Sequence, residues 1–85
     1  NAEAWLNKAI SALRRGGGAE TLPMIERSLQ LGTQRLALAY YSRSLAHERG
    51  GDLRSAYNDL LRARDLDPQW RLPAEDLRMF KLVRR

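Results

Sequence analysis

The stretch from Ala37 to Pro68 constrains this chain most. Two amphipathic patterns, at 34–49 and 53–66, flank the break Gly50-Gly51-Asp52. Glycine ends a helix readily, and aspartate is a good N-cap for the next. In the first pattern Leu36, Ala37, Leu38, Tyr40, Tyr41, Ser44 and Leu45 spread over about 200° of a helical wheel, whereas one core-facing stripe needs about 100°. Arg35, Ser42 and Arg49 fill the opposite arc. A helix of that kind needs neighbours on two sides. In the second pattern Leu53, Ala56, Tyr57, Leu60, Leu61 and Ala63 form the apolar face. Arg54, Ser55, Asn58, Asp59, Arg62 and Asp65 form the wet one. Asp67-Pro68 closes it, because proline removes a backbone donor and disfavours helix in the residue before it.

Three further helices follow from the same periodicity, at 2–15, 21–31 and 73–84. In the first, Ala2, Trp5, Leu6, Ala9, Ile10, Ala12 and Leu13 share one broad face, and Gly16-Gly17-Gly18 makes a flexible turn after it. Thr21 is positioned to cap the second helix, with Pro23 in its first turn and Leu22, Met24, Ile25, Leu29 and Leu31 inward. Met24 reads as core filler. Gly32 stops that helix, and Thr33 is positioned to cap the third. Pro73 opens the fifth, with Glu75 and Asp76 in its first turn and Lys81, Arg84 and Arg85 in its last. Leu77, Met79, Phe80 and Val83 are its expected buried stripe. No alternating apolar–polar run of useful length occurs, so the expectation is all-α.

Eighty-five residues make one small domain. Roughly 60% of the unfolded surface is what a chain of this size buries when it packs as a sphere. There is no cysteine, hence no disulfide and no thiol site. No run of 18 apolar residues exists to span a membrane. The formal net charge is +5, and thirteen of the fifteen basic residues are arginine. That balance favours acidic partners without deciding the fold.

Several positions between Ala37 and Pro68 resemble a tetratricopeptide repeat (TPR), a helix–turn–helix unit with a period of about 34 residues. Tyr40 stands at the large aromatic position and Ser44 at the small one of the first helix. Ala56, Leu60 and Ala63 stand on the face where the second helix crosses the first, and Pro68 ends the unit. Small residues there allow close helix approach. Two positions depart: Arg43 stands where the family usually has leucine, and His47 where it has tyrosine. Residues 2–32 resemble a degenerate repeat. Ala2, Trp5 and Ala9 match its opening and Gly16-Gly17 its turn. Thr21 and Ser28 are the nearest small residues in its second helix, and no proline closes it. The resemblance implies a TPR-like α-solenoid of antiparallel helical hairpins. Residues 1–85 are then one domain, a piece of a longer array.

The resemblance further implies a non-catalytic protein–protein interaction scaffold in a multi-protein assembly. Its partner is another protein or a peptide segment, held in the groove lined by the first helix of each hairpin. Carried over by position, the groove residues are Leu38, Tyr41, Leu45, Glu48 and Arg49, with Glu3, Leu6, Asn7, Ile10 and Leu13 from the weaker unit. Asn7 and Lys8 do not assemble the clamp with which some members hold a C-terminal carboxylate. Arg/Ala/Leu-rich arrays in the periplasmic parts of exopolysaccharide-export proteins are similar, which implies a bacterial envelope scaffold; the cytoplasm is the other compartment expected.

Other chemistry has little support in the residues. Gly16-Gly17-Gly18 lacks the preceding strand and following Gly-Lys-Ser/Thr of a phosphate loop. His47, the one histidine, has only Glu48 beside it as a further ligand type and reads as a packed structural residue. Asp65 and Asp67 read as solvated or capping. No catalytic constellation, cofactor or metal is expected. The competing reading is nucleic-acid binding through Arg14, Arg15, Arg35, Arg43, Arg49, Arg54, Arg62 and Arg64, with Tyr41 and Trp70 stacking on bases. Those arginines are dispersed among acidic residues and form no stripe.

Overall fold

The structure, a computed structural model, describes residues 1–83 and the side chains through Phe80. The described residues form five α-helices and no strand. They are α1 (Ala2–Arg14), α2 (Leu22–Gln30), α3 (Leu36–Arg49), α4 (Leu53–Leu66) and α5 (Arg71–Val83), with a 3-10 turn, Ala19–Thr21, leading into α2. The chain is all-α, as the periodicity predicts. The expectations for Arg84 and Arg85, and for the side chains of Lys81 and Val83, lie outside what is described.

Helices α1, α2 and α3 end in the same way. The N–H of Gly16, Gly32 and Gly51 returns to the carbonyl of Leu13, Leu29 and Glu48, and the next N–H returns to Ala12, Ser28 and His47. This is the Schellman closure, in which the first of the two donors sits at a left-handed backbone position that glycine occupies without strain. Gly51 has φ +88°. The residue after it, Asp52, finishes α3 with its own N–H and starts α4 with its carboxylate. Asp52 Oδ1 accepts from Ser55 N at 3.1 Å and Oδ2 from Ser55 Oγ at 2.7 Å. Gly16-Gly17 therefore makes a bonded stop and not the flexible turn expected from three glycines.

Three other expectations change. Thr21 and Thr33 do not cap their helices through their side chains. Thr21 Oγ1 donates to Gly18 O at 2.7 Å. The N-cap of α3 is Arg35, and buried Thr33 donates to Glu3 at 2.9 Å while accepting from Arg35 N. Glu3 also takes Gln34 N and Arg35 Nε, so one carboxylate on α1 gathers the entry to α3. Helix α5 begins at Arg71, two residues before Pro73, which its first turn tolerates. Glu75 and Asp76 consequently fall beyond the first turn.

Successive helices pack side by side. Along α3 and α4, Tyr40 meets Arg62, Arg43 meets Asp59, and His47 meets Asp52 and Asp59. Rising numbers on one helix meet falling numbers on the other, so the pair is antiparallel. Helices α4 and α5 run likewise: Tyr57 meets Phe80, and Arg64 shares a hollow with Ala74. Two apolar clusters result. Ala9, Leu13, Ile25 and Ala46 join α1, α2 and α3, with Met24 packed against them. Ala56, Leu60, Leu77 and Phe80 join α4 and α5. Helix α3 touches α1, α2 and α4, in line with its wide arc, but the residues it buries are small: Ala39, Ser42, Ser44 and Ala46. Ser42, assigned above to the outer arc, is therefore inside, while Leu36 is exposed. Leu53 of α4 is likewise exposed although assigned to the apolar face.

Asp59, assigned to the wet face of α4, is buried against α3. It accepts two bonds from Arg43, Nε at 2.8 Å and Nη2 at 3.0 Å, while His47 Nε2 lies 3.8 Å from its Oδ2. The two positions that depart from the repeat pattern thus converge on one carboxylate. A two-point guanidinium–carboxylate pair of this kind is strong and directional. The His47 side chain is 17% exposed, as a packed residue should be.

Two stability outcomes are expected. Ala56 has no exposed surface. Ala56→Leu should overpack the crossing and cost about 1–3 kcal/mol, read as a lower urea midpoint. Asp59→Leu should cost about 1–3 kcal/mol by leaving the Arg43 guanidinium without its partner. Arg43→Leu with Asp59→Leu should recover all but about 1 kcal/mol, because an apolar pair of similar volume replaces a desolvated ion pair at little cost.

Candidate functional site

Helices α3 and α5 both lean on α4 without packing closely on each other. The wedge between them is a cavity of about 280 Å³, lined by Tyr41, Ser44, Leu45 and Glu48 of α3, Leu53 and Leu60 of α4, and Asp76, Met79 and Phe80 of α5. Leu60 and Ser44 are buried, and Leu53 and Met79 are exposed. Met79 is 61% exposed, so it does not join the buried stripe with Leu77 and Phe80.

One side chain spans the wedge. Tyr41 Oη donates to Asp76 Oδ2 at 2.6 Å, and the Tyr41 ring lies 5.0 Å from that of Trp70, tilted by 57°. Burial pushes the Tyr41 phenol above its ordinary pKa, and the bond to Asp76 and the charges of Asp76, Glu48 and Glu75 push it further. Trp70 is thus packed against α3 at one end of a second, shallower hollow with Leu36, Leu38 and Leu66.

Of the groove residues expected from sequence, Tyr41, Leu45 and Glu48 come together in this cavity. Leu38 lines the hollow beside Trp70 instead. The α1 residues lie apart from this cavity, because α1 is tied by polar bonds to α3 and its N-cap. Leu6 has no exposed surface and Leu13 is buried. Asn7 accepts from Arg35 Nη2 at 2.7 Å, and Glu3 is held by Thr33, Gln34 and Arg35. Ile10 is half-buried. Arg49 also lies apart from the cavity: its Nη1 donates to Leu13 O at 2.7 Å and to Gly17 O, closing the C-terminus of α1. The second wall comes from α5, through Asp76, Met79 and Phe80. Their spacing was legible as an amphipathic helix, but the side of α4 on which that helix would lie was not.

Of the repeat-signature residues, Ser44 and Leu60 line the wedge, and the others lie elsewhere. Ser44, Ala56, Leu60 and Ala63 are buried, and Pro68 is exposed in the turn after α4. The Tyr40 ring has the guanidiniums of Arg43 and Arg62 at 5.2 and 5.0 Å from its centroid. Most of the arginines considered for nucleic acid have internal partners. Arg35 pairs with Glu3, Arg43 with Asp59 and Arg64 with Asp65, Arg49 closes α1, and Arg62 sits on Tyr40. Among the described residues no three His, Cys, Asp or Glu side chains form a metal-binding group, and no helix is long and apolar enough to cross a membrane.

Comparison with protein-family models, with curated proteins and with solved structures finds no match.

The Tyr41–Asp76 bond carries a pH dependence. A phenol pKa raised on folding means that the fold favours the neutral phenol. Its stabilisation is full below the ordinary phenol value of 10.0 and is lost as pH climbs above it. Thermal melts should therefore show wild type losing stability above about pH 10 more steeply than Tyr41→Phe.

Proposed function

We propose that this chain is a protein-interaction module of tetratricopeptide-like architecture, and that it binds a peptide segment of another protein in the wedge between α3 and α5. The wedge carries the reading. It is open and apolar at its floor, and Tyr41, Leu45, Met79 and Phe80 supply aromatic and aliphatic contact. Small-molecule sites run from about 300 to 1,000 Å³. At about 280 Å³ this cavity suits one or two anchor side chains better than a cofactor. Anchors seated in such pockets dominate the energy of protein interfaces. Antiparallel hairpins, small residues at the α3–α4 crossing and a helix pair holding a groove open all support a repeat-like scaffold.

Panning a displayed peptide library on the folded domain tests this. Enriched peptides should bind wild type and lose roughly tenfold or more in affinity to Tyr41→Ala with Leu45→Ala. Circular dichroism confirms that the variant is folded. Undiminished binding by the folded double variant would refute the groove.

A further inference from the structure

The charge around the wedge runs against the charge of the chain. The protein has fifteen basic residues against ten acidic and is +5 overall. Yet the charged residues that line the wedge are Glu48 and Asp76, with no lysine or arginine among the described lining residues. Glu48 is exposed and has no ion-pair partner among the described residues. Among the described residues Asp76 receives Tyr41 Oη on Oδ2 alone. Glu75, beside it, has only a distant contact, 3.8 Å, to an Arg71 that is 86% exposed. Glu48 and Asp76 thus both face the wedge, with Asp76 joined to Tyr41 across it.

Taking the peptide-binding reading of the wedge as given, we infer that its occupant is a partner segment carrying lysine or arginine next to an aliphatic anchor. The anchor fills the floor formed by Leu45, Leu60 and Phe80. The basic side chain lays its methylene stem along that floor and sets its cationic head at the Glu48 and Asp76 rim. A carboxylate beside a partly dry cavity attracts such a cation more strongly than one in open water. An acidic segment is repelled at the same rim. The net positive charge of the rest of the chain also disfavours loose, non-specific association with a basic peptide, so binding requires the wedge.

Fluorescence anisotropy with three labelled peptides of equal length decides this: an amphipathic Leu/Lys helix former, its Leu/Glu counterpart, and a Ser/Lys peptide without apolar residues. The Leu/Lys peptide should bind at least about tenfold tighter than either control. Glu48→Lys, an exposed change that leaves the thermal midpoint in place, should weaken it roughly three- to tenfold. Raising salt from about 0.05 to about 0.5 M should weaken it as well. If the Leu/Glu peptide binds equally and Leu45→Ala abolishes that binding, the charge inference fails and the groove stands. If Leu45→Ala changes nothing for any peptide, both readings fail. A concentration-dependent dimer in sedimentation, lost in Glu48→Lys, would identify a second copy of the chain as the occupant and overturn the separate partner.

Discussion

The close approach of α3 and α4 decides where everything else in this chain lies. Ser44 on α3, and Ala56 and Ala63 on α4, present almost no side-chain bulk and almost no exposed surface. Such residues let two backbones come near. The same seam holds one bidentate ion pair, Arg43 with Asp59, at a depth where either charge alone is costly. Apolar clusters sit on both sides of it, one shared with α1 and α2, the other with α5. The seam is thus a polar-pinned joint between two small cores. Neither core includes more than a handful of large side chains, so the joint makes them one body.

Closeness on one side leaves distance on the other. Helix α3 meets α1 through Glu3, Asn7 and Arg49, all engaged in polar bonds. Towards α5 it offers Tyr41, Leu45 and Glu48, and Tyr41 reaches across to Asp76. A longer bridge would hold the two walls further apart, and a shorter one would draw them together. Tyr41 Oη on Asp76 sets the width in between.

Most of the secondary structure was legible in the sequence because its signals are local. Glycine at the end of three helices, Asp52 at the start of one and Pro68 after another each act within a turn of where they stand. The errors came from interactions across the chain. Asp59 looks solvated on a wheel of α4 alone, and only the antiparallel register with α3 puts Arg43 opposite it. Ser42 looks like surface until a second helix crosses α3. Thr33 has the composition of a cap, but Glu3, thirty residues away, competes for its hydroxyl. The groove was half legible for the same reason. Tyr41, Leu45 and Glu48 are grouped on α3 by helical spacing alone, whereas the placing of α5 opposite them to form the wedge depends on which side chains are already taken.

Asp52 ends α3 and starts α4 within one residue, and that economy leaves no slack between the two helices. One residue inserted there would rotate α4 about 100° relative to α3. Asp59 would swing away from Arg43, and Ala56 and Ala63 would leave the crossing together. The turn therefore acts as a phase lock: it fixes the rotational setting of one helix against the next, much as a key fixes a gear on a shaft. A change of chain length at this joint would therefore undo the ion pair and the small-residue crossing together.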